Sequence, residues 1–197
     1  MIEVQNAIKT FDGNQVLKNV SAIFEAGKTN LIIGQSGSGK TVLMKSIVGI
    51  HRIDSGHILY DGRDITIMKR KQLNQLRREI GMLFQGSALF DSMTVLENVR
   101  FPLDMFSDET EDEKDRRARF CLERVELSHA VDLYPSEISG GMQKRAAIAR
   151  AIVLNPKYLF CDEPNSGLDP KTSLLIDKLI QDITHEFNIT TIINTHD

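Results

Sequence analysis

Apolar and polar residues alternate through residues 1–8 (MIEVQNAI) and 15–24 (QVLKNVSAIF). That is the period of a half-buried strand. Asp12-Gly13-Asn14 between them is turn chemistry, so the two predict a hairpin lying outside the main core. Shorter apolar runs follow at TNLII (29–33), IGMLFQ (80–85), KYLFCDE (157–163) and ITTIINTHD (189–197). GHILYDG (56–62) is a further short strand with a turn. Runs of this length bounded by polar residues suit strands buried in a parallel sheet. TVLMKSIVGI (41–50) carries a helical pattern. Between residues 91 and 154 the character becomes helical. Thr94 with Glu97, and Thr110 with Glu113, have capping-box spacing and predict two helix starts. A third helix begins near Ser139, and Asn155-Pro156 stops it.

The pattern describes a strand–helix core with a helical insertion. Composition narrows the class but does not change that picture. The 197 residues are 41% hydrophobic and 26% charged, as in a globular protein, with net charge -3. No bulk basic character points to nucleic acid. No apolar run approaches the roughly 20 residues of a membrane span. The first residues lack a signal-peptide layout. Cys121 and Cys161 are far apart and match neither a disulfide framework nor a metal-ligand spacing. The acidic run SDETEDEKD (107–115) reads as a solvated helix start at the positive dipole end.

Two stretches carry chemistry. GQSGSGKT (34–41) matches G-x-x-x-x-G-K-[ST] in full, after a strand and before a helix. Its glycines (Gly34, Gly37, Gly39), with Ser36 and Ser38 between them, let backbone N–H groups turn inward around phosphate oxygens. The helix that follows adds its positive end. Lys40 can reach the β- and γ-phosphates, and Thr41 can ligate Mg²⁺. LFCDEP (159–164) is an apolar strand ending in two carboxylates. At a strand end the chain turns, so both can face one site. Asp162 would hold Mg²⁺, and Glu163 would accept a proton from an attacking water. Cys161 reads as core packing.

These motifs, with ISGGMQKR (138–145), SGLD (166–169) and TH (195–196), fall in the order seen in ABC transporter nucleotide-binding domains. The chain resembles that family along essentially its whole length, and no guanine-reading segment points to a GTPase. The resemblance implies an α/β P-loop NTPase (RecA-like) core with an antiparallel β subdomain and a helical subdomain. Residues 1–90 and 155–197 would form the ATP-binding core, and 91–154 the helical subdomain. It implies a head-to-tail homodimer with two ATPs sandwiched between. Ser139, Gly140 and Gly141 would close over the ATP of the second subunit. Phe11 would stack on adenine, Gln85 would touch Mg²⁺ or the water, Asp169 would sense the partner site, and His196 would contact the γ-phosphate. Family members usually carry Gln where this chain has Met142, and Gln143 follows it. His51, His57, His129 and His185 have no motif around them.

FQGSALFDSMTVLENVRFPL (84–103) and SGGM are similar to the ATPases of bacterial phospholipid transporters that work with MCE-type lipid-binding proteins. The implied partners are transmembrane permease subunits and an MCE-type protein, and the implied place is the cytoplasmic face of the plasma membrane. Transport of another substrate, and a soluble ABC ATPase in translation or DNA repair, are the competing readings. The chain ends at Asp197, several dozen residues before the family pattern does, which raises the expectation of a truncated C-terminus.

Overall fold

A computed structural model describes residues 1–195; His196 and Asp197 lie outside the described residues. Strand β1 (Ile2–Phe11) and strand β2 (Asn14–Phe24) pair antiparallel around a two-residue turn. Asp12 and Gly13 both have positive φ, 48° and 79°. That is the primed turn whose twist matches a hairpin. The strands therefore run closer to the turn than the alternation alone predicts. Strand β3 is Thr29–Ile33, and helix α1 is Lys40–Ile47. Strand β4 (Ser55–Tyr60) and the short β5 (Arg63–Asp64) make a second tight hairpin through Asp61-Gly62. These strands form an antiparallel sheet in the order β2-β1-β4-β5.

Helix α2 (Arg70–Arg77) leads to strand β6 (Ile80–Leu83). The helical segment then supplies α3 (Val95–Phe106), α4 (Glu111–Arg124) and α5 (Gly140–Ile152). Strand β7 (Tyr158–Asp162), helix α6 (Pro170–Glu186) and strand β8 (Thr190–Thr195) complete the described chain. The second sheet is parallel throughout, in the order β3-β8-β7-β6.

Period two explains how the layers assemble. All five residues of β7 are buried. Leu159 and Cys161 enter a core with α3, α4, α5 and α6. Tyr158 and Phe160 enter a second core with α1 and the antiparallel sheet. A strand covered on both faces has no polar face, which is why KYLFCDE reads as a continuous apolar run. The hairpin is thus not outside the core, as alternation alone suggests. Ile2, Val4, Ala7, Leu17 and Phe24 are all buried in the second core. A strand with one wet face still packs its other face, and here that face meets α1. By contrast β3 is an edge strand, and Leu31 and Ile33 remain exposed.

Both predicted capping boxes are present. Thr94 Oγ1 accepts from Glu97 N–H while Glu97 accepts from Thr94 N–H, and Thr110 with Glu113 does the same. Helices α2 and α6 were not marked by the patterning. Only Leu76 of α2 is buried, and α6 lies on the helical core through Ile176, Ile180 and Ile183.

Candidate nucleotide site

The face of β7 and β8 that carries Phe160 and Ile192 ends, two residues on, at Asp162 and Asn194. Helix α1 packs on that same face through Leu43, Met44 and Ile47. Its first turn is thereby set against the strand ends. Thr41 Oγ1 lies 3.5 Å from Asp162 Oδ1. Strand register, helix packing and phosphate loop thus converge on one point.

The loop before α1 is built for an anion. Gly37 and Gly39 have φ of +79° and +93°, where L-side chains are strained. A Cβ on Gly39 would sit 3.1 Å from Val16 Cγ1 and 3.2 Å from the Val16 carbonyl oxygen, so β2 fills the space beneath it. Ser38 N–H donates to the Gln35 carbonyl at 3.1 Å. Lys40 Nζ donates to the carbonyls of Gly34 and Gln35, at 2.6 and 3.1 Å, and so stays within the loop. Helices α3, α4, α5 and α6 are capped by the side chains of Thr94, Thr110, Ser139 and Asp169. Helices α1 and α2 have no side-chain cap bond and no acidic residue in the first turn, but only α1 follows the glycine-rich loop, and α1 is the helix set against the strand ends. The leading N–H groups of α1 are left for an external acceptor, which fits a phosphate.

Beyond Asp162 the backbone turns left-handed. Glu163 has φ 48° and its N–H donates to the Asn194 carbonyl at 2.9 Å. This uncommon conformation is how two consecutive residues share a site instead of pointing to opposite faces. Gln85 Nε2 reaches Glu163 Oε2 at 3.4 Å. Thr41, Asp162, Glu163 and Gln85 are therefore one constellation of oxygen-bearing groups, the donor type a hard cation such as Mg²⁺ selects. No cluster of three or more His, Cys, Asp or Glu occurs among the described residues. Burial pushes the Cys161 thiol up to about 12, in keeping with packing.

Two buried groups here carry no sequence motif. Asn194 is fully buried, and its Nδ2 donates to Asp162 Oδ1 at 2.6 Å. The signal for it was a polar residue at an inward position of the run IINT. Lys144 on α5 is 3% exposed, and its Nζ has no hydrogen-bond partner among the described residues. Burial pulls its ammonium below the ordinary lysine range, while Cys161, Asp162 and Glu163 pull it back.

Phe11, Ser139, Gly140, Gly141 and Asp169 make their contacts elsewhere. Phe11 ends β1, is 37% exposed, and meets His51 edge-on at 5.4 Å with Lys9 Nζ 5.1 Å from its ring centre. Ser139 and Gly140 are exposed at the start of α5. Ser139 Oγ accepts from Met142 N–H at 3.3 Å, which leaves its own hydroxyl proton free to donate. The two glycines differ. A Cβ on Gly140 would meet little, whereas one on Gly141 would sit 2.8 Å from Thr172 Cγ2 of α6. Gly141 is required by packing within the chain. Met142 packs against the helical core, and Gln143 Nε2 donates to the Pro135 carbonyl at 2.9 Å. One N–H of the Gln143 amide is thus used within the helical segment. Asp169 caps α6 through the N–H groups of Lys171 and Thr172, and its bond from the Thr172 hydroxyl holds its carboxyl below the usual range. His196 falls outside the described residues.

The family described as "ABC transporter" matches residues 17–166. The chain belongs to that family. It is 40% identical over 195 residues to the probable ribonucleotide transport ATP-binding protein mkl of Mycobacterium leprae, across 99% of this chain and 56% of that protein. It is 44% identical over 200 residues to the methionine import ATP-binding protein MetN of Carboxydothermus hydrogenoformans, across 100% of this chain and 59% of that protein. This ABC domain spans between 54% and 61% of the length of such curated relatives. Among solved structures, the dimeric post-hydrolysis state of the ATP-binding cassette MJ0796 with ADP and Pi superposes with a TM-score of 0.89 at 33% identity, covering 100% of this chain and 88% of that one. The cassette cbiO1 from Clostridium perfringens, part of the complex cbiONQ, gives a TM-score of 0.92 at 35% identity, covering 100% and 78%. The expected P-loop ABC fold is the fold observed.

Proposed function

We propose that this chain is the ATP-binding and ATP-hydrolysing motor of an ABC transporter. The observation that carries the reading is the convergence of Thr41, Asp162, Glu163 and Gln85 beside an uncapped helix start. The loop N–H groups and Lys40 would bind the phosphates, and Phe11 would cover adenine. Thr41 and Asp162, with Gln85, would hold Mg²⁺. Bound magnesium supplies charge neutralisation at the β- and γ-phosphate oxygens. Glu163 would orient the attacking water and take its proton, with Gln85 holding the carboxylate. A second copy would present Ser139 and Gly140, both exposed, to the γ-phosphate. Asp169, as a helix cap on the same edge, would meet the partner there, and His196 would contact the γ-phosphate. Changing Glu163 to Gln tests the base: phosphate release should fall by about a hundredfold or more with ATP binding retained. Near-normal release would remove Glu163 from that role.

The substrate reading is phospholipid, moved through separate permease subunits with an MCE-type protein, with the motor on the cytoplasmic membrane face. It is supported by the resemblance of residues 84–103 and by the surface they build. Phe84 and Phe90 are exposed beside Phe101, Phe106 and Met82, rimmed by Arg77, Arg78 and Arg150. No helix among the described residues is long and apolar enough to cross a membrane. An exposed apolar groove rimmed by arginines is where a permease segment would seat. Residues 91–154 would move with it as a unit. Methionine import is the second reading, favoured by the identity to MetN proteins. Copurification from native membranes separates them: an MCE-type partner supports lipid, and a different permease removes it.

A further inference from the structure

Asn194 sits directly across from Asp162 in the β7–β8 register. It is fully buried in a strand that is otherwise apolar or threonine. A buried amide is costly unless its groups are used. One half is used well. Nδ2 donates to Asp162 Oδ1 at 2.6 Å and to Thr41 Oγ1 at 3.3 Å. The amide cannot be turned over, because that would set its carbonyl oxygen against the carboxylate. The other half is unfilled. Asn194 Oδ1 is buried and has no hydrogen-bond partner among the described residues. Buried acceptors of this kind are ordinarily satisfied by protein or water, so an empty one needs a reason.

We propose that Asn194 is a positioning residue for the cation site. It fixes one oxygen of Asp162, which leaves the other free to ligate. It also ties the Thr41 hydroxyl to the same carboxylate, so the two ligands are held at one spacing. Its Oδ1 is the acceptor for a water of the hydrated ion. This rests on the magnesium–nucleotide reading of the same site. Partners that orient a ligand are worth about ten- to hundredfold in metal affinity.

The test uses Asn194→Leu, which keeps the bulk and removes both polar atoms. Mg²⁺ is titrated by calorimetry into protein saturated with a non-hydrolysable ATP analogue. The analogue alone is titrated in chelator. Mg²⁺ affinity should fall by about tenfold or more, with metal-free analogue affinity held within about twofold. A smaller fall, or a parallel fall in both affinities, overturns the assignment and leaves Asn194 a packing residue. If the leucine variant does not fold, Asn194→Val is read by the same criterion. Wild-type protein that binds the analogue without any Mg²⁺ dependence defeats the underlying reading instead, and does so before any variant is made.

Discussion

Asn98 holds together the segment that follows Gln85. It is fully buried, and its side chain spans a whole turn of loop. Oδ1 accepts from Phe90 N–H at 2.8 Å. Nδ2 donates to the carbonyls of Phe90, Met93 and Thr94, each at 3.0 Å. Asn98→Leu removes all four bonds at similar volume. Their loss is not four equal penalties. The Phe90 and Thr94 carbonyls each keep a second donor, from Met93 N–H and Asn98 N–H. The heavier cost falls on Phe90 N–H, which loses its acceptor at a part-buried position. A part-buried donor left without its acceptor costs toward the lower end of about 1–3 kcal/mol, and each lost neutral bond about 1 kcal/mol, so the change should cost about 2 kcal/mol. Equilibrium urea unfolding measures this directly. ATP affinity should be unchanged, since Asn98 is not among the phosphate or cation groups, while any coupling to a permease should weaken. A loss below about 1 kcal/mol would show that water replaces the amide, and the clamp argument would fail.

Other perturbations probe separate parts. Lys40→Ala should weaken ATP binding by about 2 kcal/mol, about thirtyfold, by calorimetry; unchanged binding would take its ammonium off the phosphates. Ser139→Arg should leave binding to the monomer intact and abolish ATP-dependent dimers in sedimentation, and dimers that persist would defeat the trans-site reading. Glu79 accepts from Arg63 Nη1 and Nη2 at 2.9 and 2.8 Å, and Lys157 lies 3.2 Å away. Arg63, then Lys157, hold its carboxyl below 4.5 against the opposing effect of burial. A depressed folded value means the contribution is present above the unfolded pKa and lost as pH falls through the folded one. Glu79→Gln should therefore cost about 1–2 kcal/mol near neutrality, with the gap to wild type closing below about pH 4.5. A gap independent of pH would remove the charge from the argument.

The phosphate loop and the carboxylate pair were legible because each needs fixed residue types at fixed spacing next to an apolar strand. The capping boxes were legible for the same reason: Thr94 with Glu97 is a local reciprocal bond. Residues that depend on register across distant strands were not. Asn194 reaches the site only because β7 and β8 place it beside Asp162, 32 residues away. Lys144 gave no signal, since one lysine on a helix ordinarily faces water. Helix α2 hid because RKQLNQLR buries a single leucine. The hairpin was misplaced because alternation shows that one face is dry without showing what covers it. Met142 lacks a glutamine's chemistry, yet its contacts with the helical core account for its presence.

The bare start of α1 has a consequence for handling the protein. Four other helices carry a side-chain cap, whereas the leading N–H groups of this one would take an acceptor from solution. Any oxyanion in the buffer competes for those N–H groups. Phosphate or sulfate would act as a weak surrogate, raising the apparent melting point by mass action and flattening the response to added nucleotide. A thermal-shift titration in chloride and one in phosphate would then report different apparent ligand strengths from the same molecule, and the chloride series is the one that reads the site itself.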